Sequence, residues 1–159
     1  MREGIGDEHP LCDSVQNIFI LLYLVVWIAD SFWFRWSTFL TGSFHWLLRG
    51  SLALIFIIVG VYLVQGAHKA VFDEAPSVPQ VIDWGVFGFV RHPMYLGVLL
   101  IMIGLFFWSL SMLSSSIWVG FFFFYDRMAS YEEEDLIRIF GEDYIEYQRR
   151  VGKWFPKLV

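Results

Sequence analysis

Long uncharged runs, rather than short amphipathic ones, set the pattern of this chain. Residues 14–29 carry no charge, and continuing past Asp30 to Phe34 gives twenty-one residues, close to the twenty that cross about 30 Å of hydrocarbon as a helix. A second run, about 44–65, has an uncharged core over 50–67, and Arg49 near its start can snorkel to an interface. Residues 94–125 are thirty-two in a row without a charge. One helix of that length would measure about 48 Å, too long for the hydrocarbon core, so two spans share the run, about 94–108 and 117–130. The turn between them is expected in 109–116, where five of eight residues are serine. The expected fold is all-α: a polytopic membrane helix bundle of about four transmembrane helices with a C-terminal cytosolic helical tail, in one domain over 1–159.

The polar positions fall between these runs. Trp27, Trp33 and Trp36 mark an interfacial belt at the end of the first span, and 37–43 is a short polar loop. Gly50, Gly60 and Gly66 lie on the second span, where small residues allow close helix packing. Residues 68–83 form the one long polar connection, and loops of that length are commonly functional. It leads directly into Arg91-His92-Pro93, with Pro93 suited to the first position of the next helix. The fourth span is expected to continue out of the membrane through 126–140, and along it Tyr131 to Gly141 reads as helical with Leu136, Ile139 and Phe140 on one face. Ser130 and Glu133 form a capping box at its start and Gly141 stops it. A further helical turn carries Tyr144, Tyr147, Arg150 and Val151.

Composition agrees with a membrane protein. The chain is 57% hydrophobic and 17% charged, with a mean hydropathy of +0.57, against about 25% charged residues in an ordinary soluble domain. The net charge of −5 comes from acids gathered in 132–135, 142, 143 and 146, and no basic stripe offers a nucleic-acid surface. One cysteine and four scattered histidines leave no ligand set for a metal. Glu3, Asp7 and Glu8 do not suit a cleavable leader, so the first run is expected to be a retained span. Four spans put nine of the eleven Lys and Arg residues on one side, which the positive-inside rule makes cytoplasmic. N- and C-termini, Arg91-His92 and Glu132-Glu133 then share that side. Ionisable groups at the edge of a span point to a site unless they serve only as anchors.

Gly85-Val86-Phe87 through Arg91-His92-Pro93-Met94-Tyr95-Leu96-Gly97, followed by Tyr131-Glu132-Glu133-x-x-Leu136, Phe140-Gly141-Glu142-Asp143-Tyr144, Glu146-Tyr147-Gln148-Arg149-Arg150-Val151 and Pro156, resembles the isoprenylcysteine carboxyl methyltransferase and phospholipid methyltransferase superfamily. The resemblance covers roughly the C-terminal half. It implies an integral membrane methyltransferase that uses S-adenosyl-L-methionine at the cytosolic face. The cofactor contacts it implies fall on Gln80, Val81, Ile82, Phe87, Arg91, His92, Pro93, Met94, Tyr95 and Glu132. On the catalytic side it implies Arg127, Glu133 and Arg150. Met128 occupies the position of the family's substrate-contacting arginine, with Arg127 adjacent. The expected partner is a lipidic or prenylated methyl acceptor arriving from membrane lipid, most of all one like isoprenylcysteine carboxylate.

The residue types suit that chemistry on their own terms. A ligand bearing a carboxylate, an ammonium and a sulfonium asks for N–H or cationic donors, an acid and aromatic faces, and Arg91, His92, Glu132, Glu133, Phe87 and Tyr95 supply them. No Gly-rich strand-to-helix loop of the soluble dinucleotide-binding kind is present. Three alternatives stand beside this reading. A phospholipid or small-thiol methyltransferase would differ in its acceptor. A membrane NADPH-dependent sterol reductase-like enzyme shares a similar Arg-His-Pro-x-Tyr turn, although Tyr95-Leu96-Gly97-Val98 lacks the acid that usually follows. A non-catalytic packed bundle would leave Arg91-His92 and Glu132-Glu133 without a joint purpose.

Overall fold

The computed structural model describes residues 10–74 and 78–157. The acidic N-terminal stretch with Glu3, Asp7 and Glu8, and Pro76 of the long connection, lie outside the described residues. Five helices carry the fold. α1, Pro10–Ile28, runs on as a wider π-helical turn at Ala29–Phe34, and α2, Trp46–His68, runs on through Lys69–Asp73. α3 is Pro93–Ser109, α4 is Met112–Phe140 and α5 is Glu142–Arg150. α1 with its extension and α2 with its extension are long and apolar enough to cross a membrane, and α3 is a shorter apolar helix. Their outward residues are apolar, with Ile18 63% and Ile58 58% exposed, the faces that hydrocarbon rather than water would cover.

α2 and α3 are antiparallel and pack through glycine. A Cβ at Gly60 would lie 2.6 Å from the Gly97 carbonyl oxygen, and one at Gly97 equally close to the Gly60 oxygen. Gly104 meets the Ala53 oxygen in the same way, at 2.8 Å. Backbone therefore touches backbone along this seam, which dispersion favours where no hydrophobic drive separates helix from lipid. α1 is held to the same α3 by side chains that donate to its carbonyls. The Tyr23 hydroxyl reaches Met102 O at 2.6 Å and Trp27 Nε1 reaches Leu105 O at 2.8 Å. From α4, Trp118 Nε1 reaches Leu99 O at 3.0 Å. The core between α1, α3 and α4 is aromatic, centred on Tyr23, Tyr95, Phe121 and Tyr125.

The structure moves several expected boundaries. α3 ends in left-handed Leu110 (φ 53) and α4 begins at Met112, so the serines 114–116 form the first turn of a helix instead of a loop. Ser111 caps α4 through Ser114 N, and Ser115 and Ser116 donate back to the Met112 carbonyl, which is how serine is tolerated in a helix start. α4 then runs unbroken from the apolar run to Phe140. Ser130 is consequently no N-cap: its hydroxyl donates to Asp126 O within the helix. Gly141 (φ 58) does stop α4. The inner face beyond it is Leu136, Ile137 and Phe140, packed on Tyr144, Tyr147 and Val151, while Ile139 is exposed. At the far end of the bundle, buried Asp30 accepts from Ser37 N, Ser37 Oγ and Ser111 Oγ at 3.1, 2.5 and 2.6 Å, tying the loop after α1 to the α3–α4 turn.

Gly97→Val is expected to lower stability by about 1–3 kcal/mol, since overpacking at a rigid seam forces backbone apart. Gly120→Ala, which meets nothing within 4 Å, is expected to hold or raise stability. Thermal unfolding of both variants in one detergent tests the seam, and equal melting for both would refute it.

Candidate active site

The site forms where the end of α2, the start of α3, the middle of α4 and the segment after α5 meet. Gly66 near the end of α2 lies flat against Val86, whose Cγ1 is 2.7 Å from where a Cβ would stand. This seats the short 3₁₀ turn Gly85–Gly88, entered through left-handed Gly85. The next residues pair with the segment beyond α5, with Val90 bridging Gly152 and Arg91 N donating to Gly152 O at 2.9 Å. His92 leaves the helical region at φ −122 and ψ 62, and Pro93 opens α3 at a position that needs no N–H.

Glu133 is the hub. Its Oε1 accepts from Arg91 Nε at 2.8 Å and lies 3.0 Å from His92 Nε2, and its Oε2 accepts from Gln148 Nε2 at 3.0 Å. Burial alone would raise the Glu133 pKa, but hydrogen bonds from His92 and Arg91 outweigh it and hold the carboxyl down to about 2. Arg91 also donates to the Val151 and Gln148 carbonyls at 2.7 and 3.3 Å, so its guanidinium is taken up by protein. His92 is 6% exposed, with its other nitrogen 3.5 Å from Glu132 Oε2. Burial would lower the His92 pKa, yet the hydrogen bonds and charges of Glu132 and Glu133 raise it above 6.5. The two carboxylates thus favour the protonated form of the imidazole between them. Buried Tyr144 and Tyr147 have their phenols pushed up, first by burial, and the Tyr147 hydroxyl donates to Phe87 O at 2.7 Å.

Glu132 is the exposed member of the pair, with a third of its side chain open. It accepts from the Tyr95 hydroxyl, whose ring stacks on His92 at 5.8 Å and on Tyr125 at 4.5 Å. Neighbouring helix residues point about 100° apart, so one face of α4 serves His92 twice while Glu134 is left to solvent.

The other expected residues separate into three places. Phe87 and Met94 pack into the cluster of Leu63, Ala67 and Val86 between α2 and α3. Gln80, Val81 and Arg150 line a cavity of about 230 Å³ with Asp83, Asp143 and Tyr147, and Arg150 pairs with Asp83 at 3.1 Å. Ile82 is half-buried beside it and Pro93 fully buried. Arg127 is exposed and makes no hydrogen bond or ion pair among the described residues. Met128, one turn before Glu132 on the same face, packs instead against the Tyr95–Tyr125 core. The register shift that would bring Arg127 to Glu132 does not occur, because α4 is continuous.

Sequence reasoning missed Gln148 as the third donor to Glu133, Asp83 as partner of Arg150, and a latch behind the site. In that latch Asp126 Oδ1 accepts from Lys153 Nζ at 2.8 Å and Trp154 Nε1 at 2.9 Å. Gln148 stands fifteen residues after Glu133, across Gly141, a spacing that carries meaning only once the angle between α4 and α5 is known.

Fold and site together define an apolar helix bundle with an acid-lined polar rim. The family model described as phospholipid methyltransferase matches residues 48–143, and the chain belongs to that family. It is 29% identical over 147 residues to methanethiol S-methyltransferase of Pseudomonas deceptionensis, covering 85% of this chain and 51% of that protein. It is 34% identical over 101 residues to protein-S-isoprenylcysteine O-methyltransferase of Homo sapiens, covering 56% of this chain and 32% of that one. The chain thus spans about half of the first of these curated relatives and about a third of the second. The fold matches the solved structure of a eukaryotic intramembrane Ras methyltransferase, isoprenylcysteine carboxyl methyltransferase, with a TM-score of 0.66 at 22% identity, over 90% of this chain and 52% of that one.

The two shifted groups bound a window of stability. Glu133, lowered from 4.5 to about 2, contributes fully above 4.5 and loses its contribution as pH falls towards 2. His92, raised above 6.5, contributes fully below that value and loses its contribution as pH rises through the elevated one. Melting temperature in detergent is expected to be highest between these limits. Glu133→Gln, which leaves part-buried Arg91 without its carboxylate, is expected to cost about 3 kcal/mol and to flatten both flanks. An unaltered pH profile in that variant would refute the hub.

Proposed function

We propose that this chain is an integral membrane methyltransferase that uses S-adenosyl-L-methionine and acts on a lipidic acceptor of the isoprenylcysteine carboxylate kind. The observation that carries the reading is Glu132: a half-open carboxylate, fixed by Tyr95 and His92, at the first turn of α3 and at the rim of an apolar bundle. The donor set fits the cofactor. Glu132 suits its ammonium, and the amides that open α3 have no intrahelical partner and suit its carboxylate. When bound, the cofactor supplies a methyl carbon activated by a cationic sulfur leaving group.

The chain's own residues then align and exclude water, where effective molarity contributes about 7–11 kcal/mol. Glu133 and Arg91, satisfied by one another, act as positioning residues that hold His92, which in turn orients Glu132. With its pKa near 2, Glu133 is a poor base, and a carboxylate or thiolate acceptor requires none. Arg150 with Asp83 fastens the segment 80–83 over the site. Arg127, exposed on α4, is left to meet an anionic acceptor at the interface. Four spans, with both termini and the site cytoplasmic, suit this reading and the positive-inside rule.

A small thiol is the second reading, favoured by the likeness to methanethiol S-methyltransferase over most of this chain. Tritiated methyl transfer to prenylcysteine, phospholipid and small-thiol acceptors separates the two, and turnover with thiols alone would overturn the lipidic acceptor. Glu132→Gln is expected to weaken S-adenosylmethionine binding about 10- to 100-fold, as loss of a charged hydrogen bond does. Unchanged affinity in equilibrium dialysis would sink the site assignment.

A further inference from the structure

At the opposite end of α3, about 25 Å from His92 at 1.5 Å per residue, the bundle holds a second cavity, of about 540 Å³. It opens between the end of α1, the start of α2 and the last turn of α3. Two cations line it, Arg35 and Arg49, with Thr38 and Ser31 as neutral polar neighbours, and no carboxylate lines it. Neither guanidinium forms an ion pair among the described residues. The nearest acid by sequence, Asp30, is buried and spent on Ser37 and Ser111, so it does not neutralise them.

Both arginines are held in place. Arg49 is braced by its Nη1 on the Trp108 carbonyl and its Nε on Phe44 O at 3.4 Å. Arg35 sits in the left-handed region at φ 53, its N–H donating to Asp30 O at 2.9 Å, a conformation that costs an L-residue energy and fixes where its side chain departs. The proposed methyl-transfer chemistry uses none of these groups.

The surroundings identify the class of ligand. Trp46, Trp108 and Phe32 also line the cavity, and Trp33 and Trp36, each 73% exposed, stand beside it. Such a belt places this end at the headgroup level of a bilayer. Leu47 and Leu48, between the lining residues Trp46 and Arg49 in sequence, are each 53% exposed and offer apolar surface to an acyl chain. Guanidinium groups bind phosphate oxygens through paired N–H donors, and two of them without a facing acid favour a headgroup with net negative charge over a zwitterionic one.

We propose that the cavity between Arg35 and Arg49 is a binding site for the phosphate of an anionic phospholipid, separate from the methyl-transfer site at the other end of the bundle. The test is thermal unfolding of the full chain in a neutral detergent, followed by tryptophan fluorescence, with phosphatidylglycerol, phosphatidylcholine or inorganic phosphate added. Phosphatidylglycerol is expected to raise Tm by about 3 °C or more through ligand linkage, with phosphatidylcholine and inorganic phosphate leaving it unmoved. Arg35→Gln is expected to remove at least half of that rise and the double variant with Arg49→Gln all of it. An equal rise with phosphatidylcholine, or a full rise in the double variant, overturns the site. An equal rise with inorganic phosphate overturns the lipid as its ligand. If Arg49→Gln fails to fold because the Trp108 carbonyl loses its donor, Arg35→Gln decides alone, since its guanidinium makes no hydrogen bond among the described residues.

Discussion

Charge at the edge of hydrocarbon must be satisfied by protein, and the buried Glu133 carboxylate is where this chain meets that demand. Its donors come from two stretches far apart in sequence: the adjacent Arg91 and His92 that lead into α3, and Gln148 of α5. Removing Arg91 would leave the Glu133 carboxylate without its full cation, which costs more than the pair itself contributes. The hub therefore fixes more than a side chain. It sets the rotation of α4, the angle of α5 against it, and the height at which α3 begins.

From that fixed point the functional arrangement follows. Because Glu133 takes His92 from one side, Glu132 must take it from the other, and Tyr95, one turn into α3, is brought to the same carboxylate. The more open acid is the product of its more enclosed neighbour. The glycine seam supports this from below: α2 and α3 touch backbone to backbone, leaving little slack by which the start of α3 could drift away from α4. Membership of the phospholipid methyltransferase family accords with the geometry and removes the reason to prefer a reductase for the Arg-His-Pro turn.

The apolar helices were legible because exclusion of charge is a long, redundant signal. Twenty uncharged residues cannot easily mean something else, and α1, α2 and the α3–α4 run lie where that signal puts them. The boundary errors came from local rules overridden by helix continuity. Serines at 114–116 resemble a loop until their hydroxyls are seen donating back into the first turn of α4, and Ser130 with Glu133 resembles a cap until the helix is seen to pass through both. In the site, Arg91, His92, Glu132 and Glu133 were readable as a set. Their division of labour was not, because which acid closes and which stays open depends on the rotation of α4 about its axis. Gln148 and the carbonyls of Val151 and Gly152 were invisible for a related reason: backbone acceptors carry no residue signature.

The order in which the chain emerges gives the pairing of Val90 with Gly152 a temporal meaning. Arg91 finds its carbonyl partners 57 and 60 residues further along, after both helices of the α3–α4 hairpin have been made. A nascent chain can therefore place every apolar helix in the bilayer while its polar rim is still open and its charges still hydrated. Closure of that rim waits on α5 and the segment beyond it, so a chain that has inserted is not yet a chain that has a site.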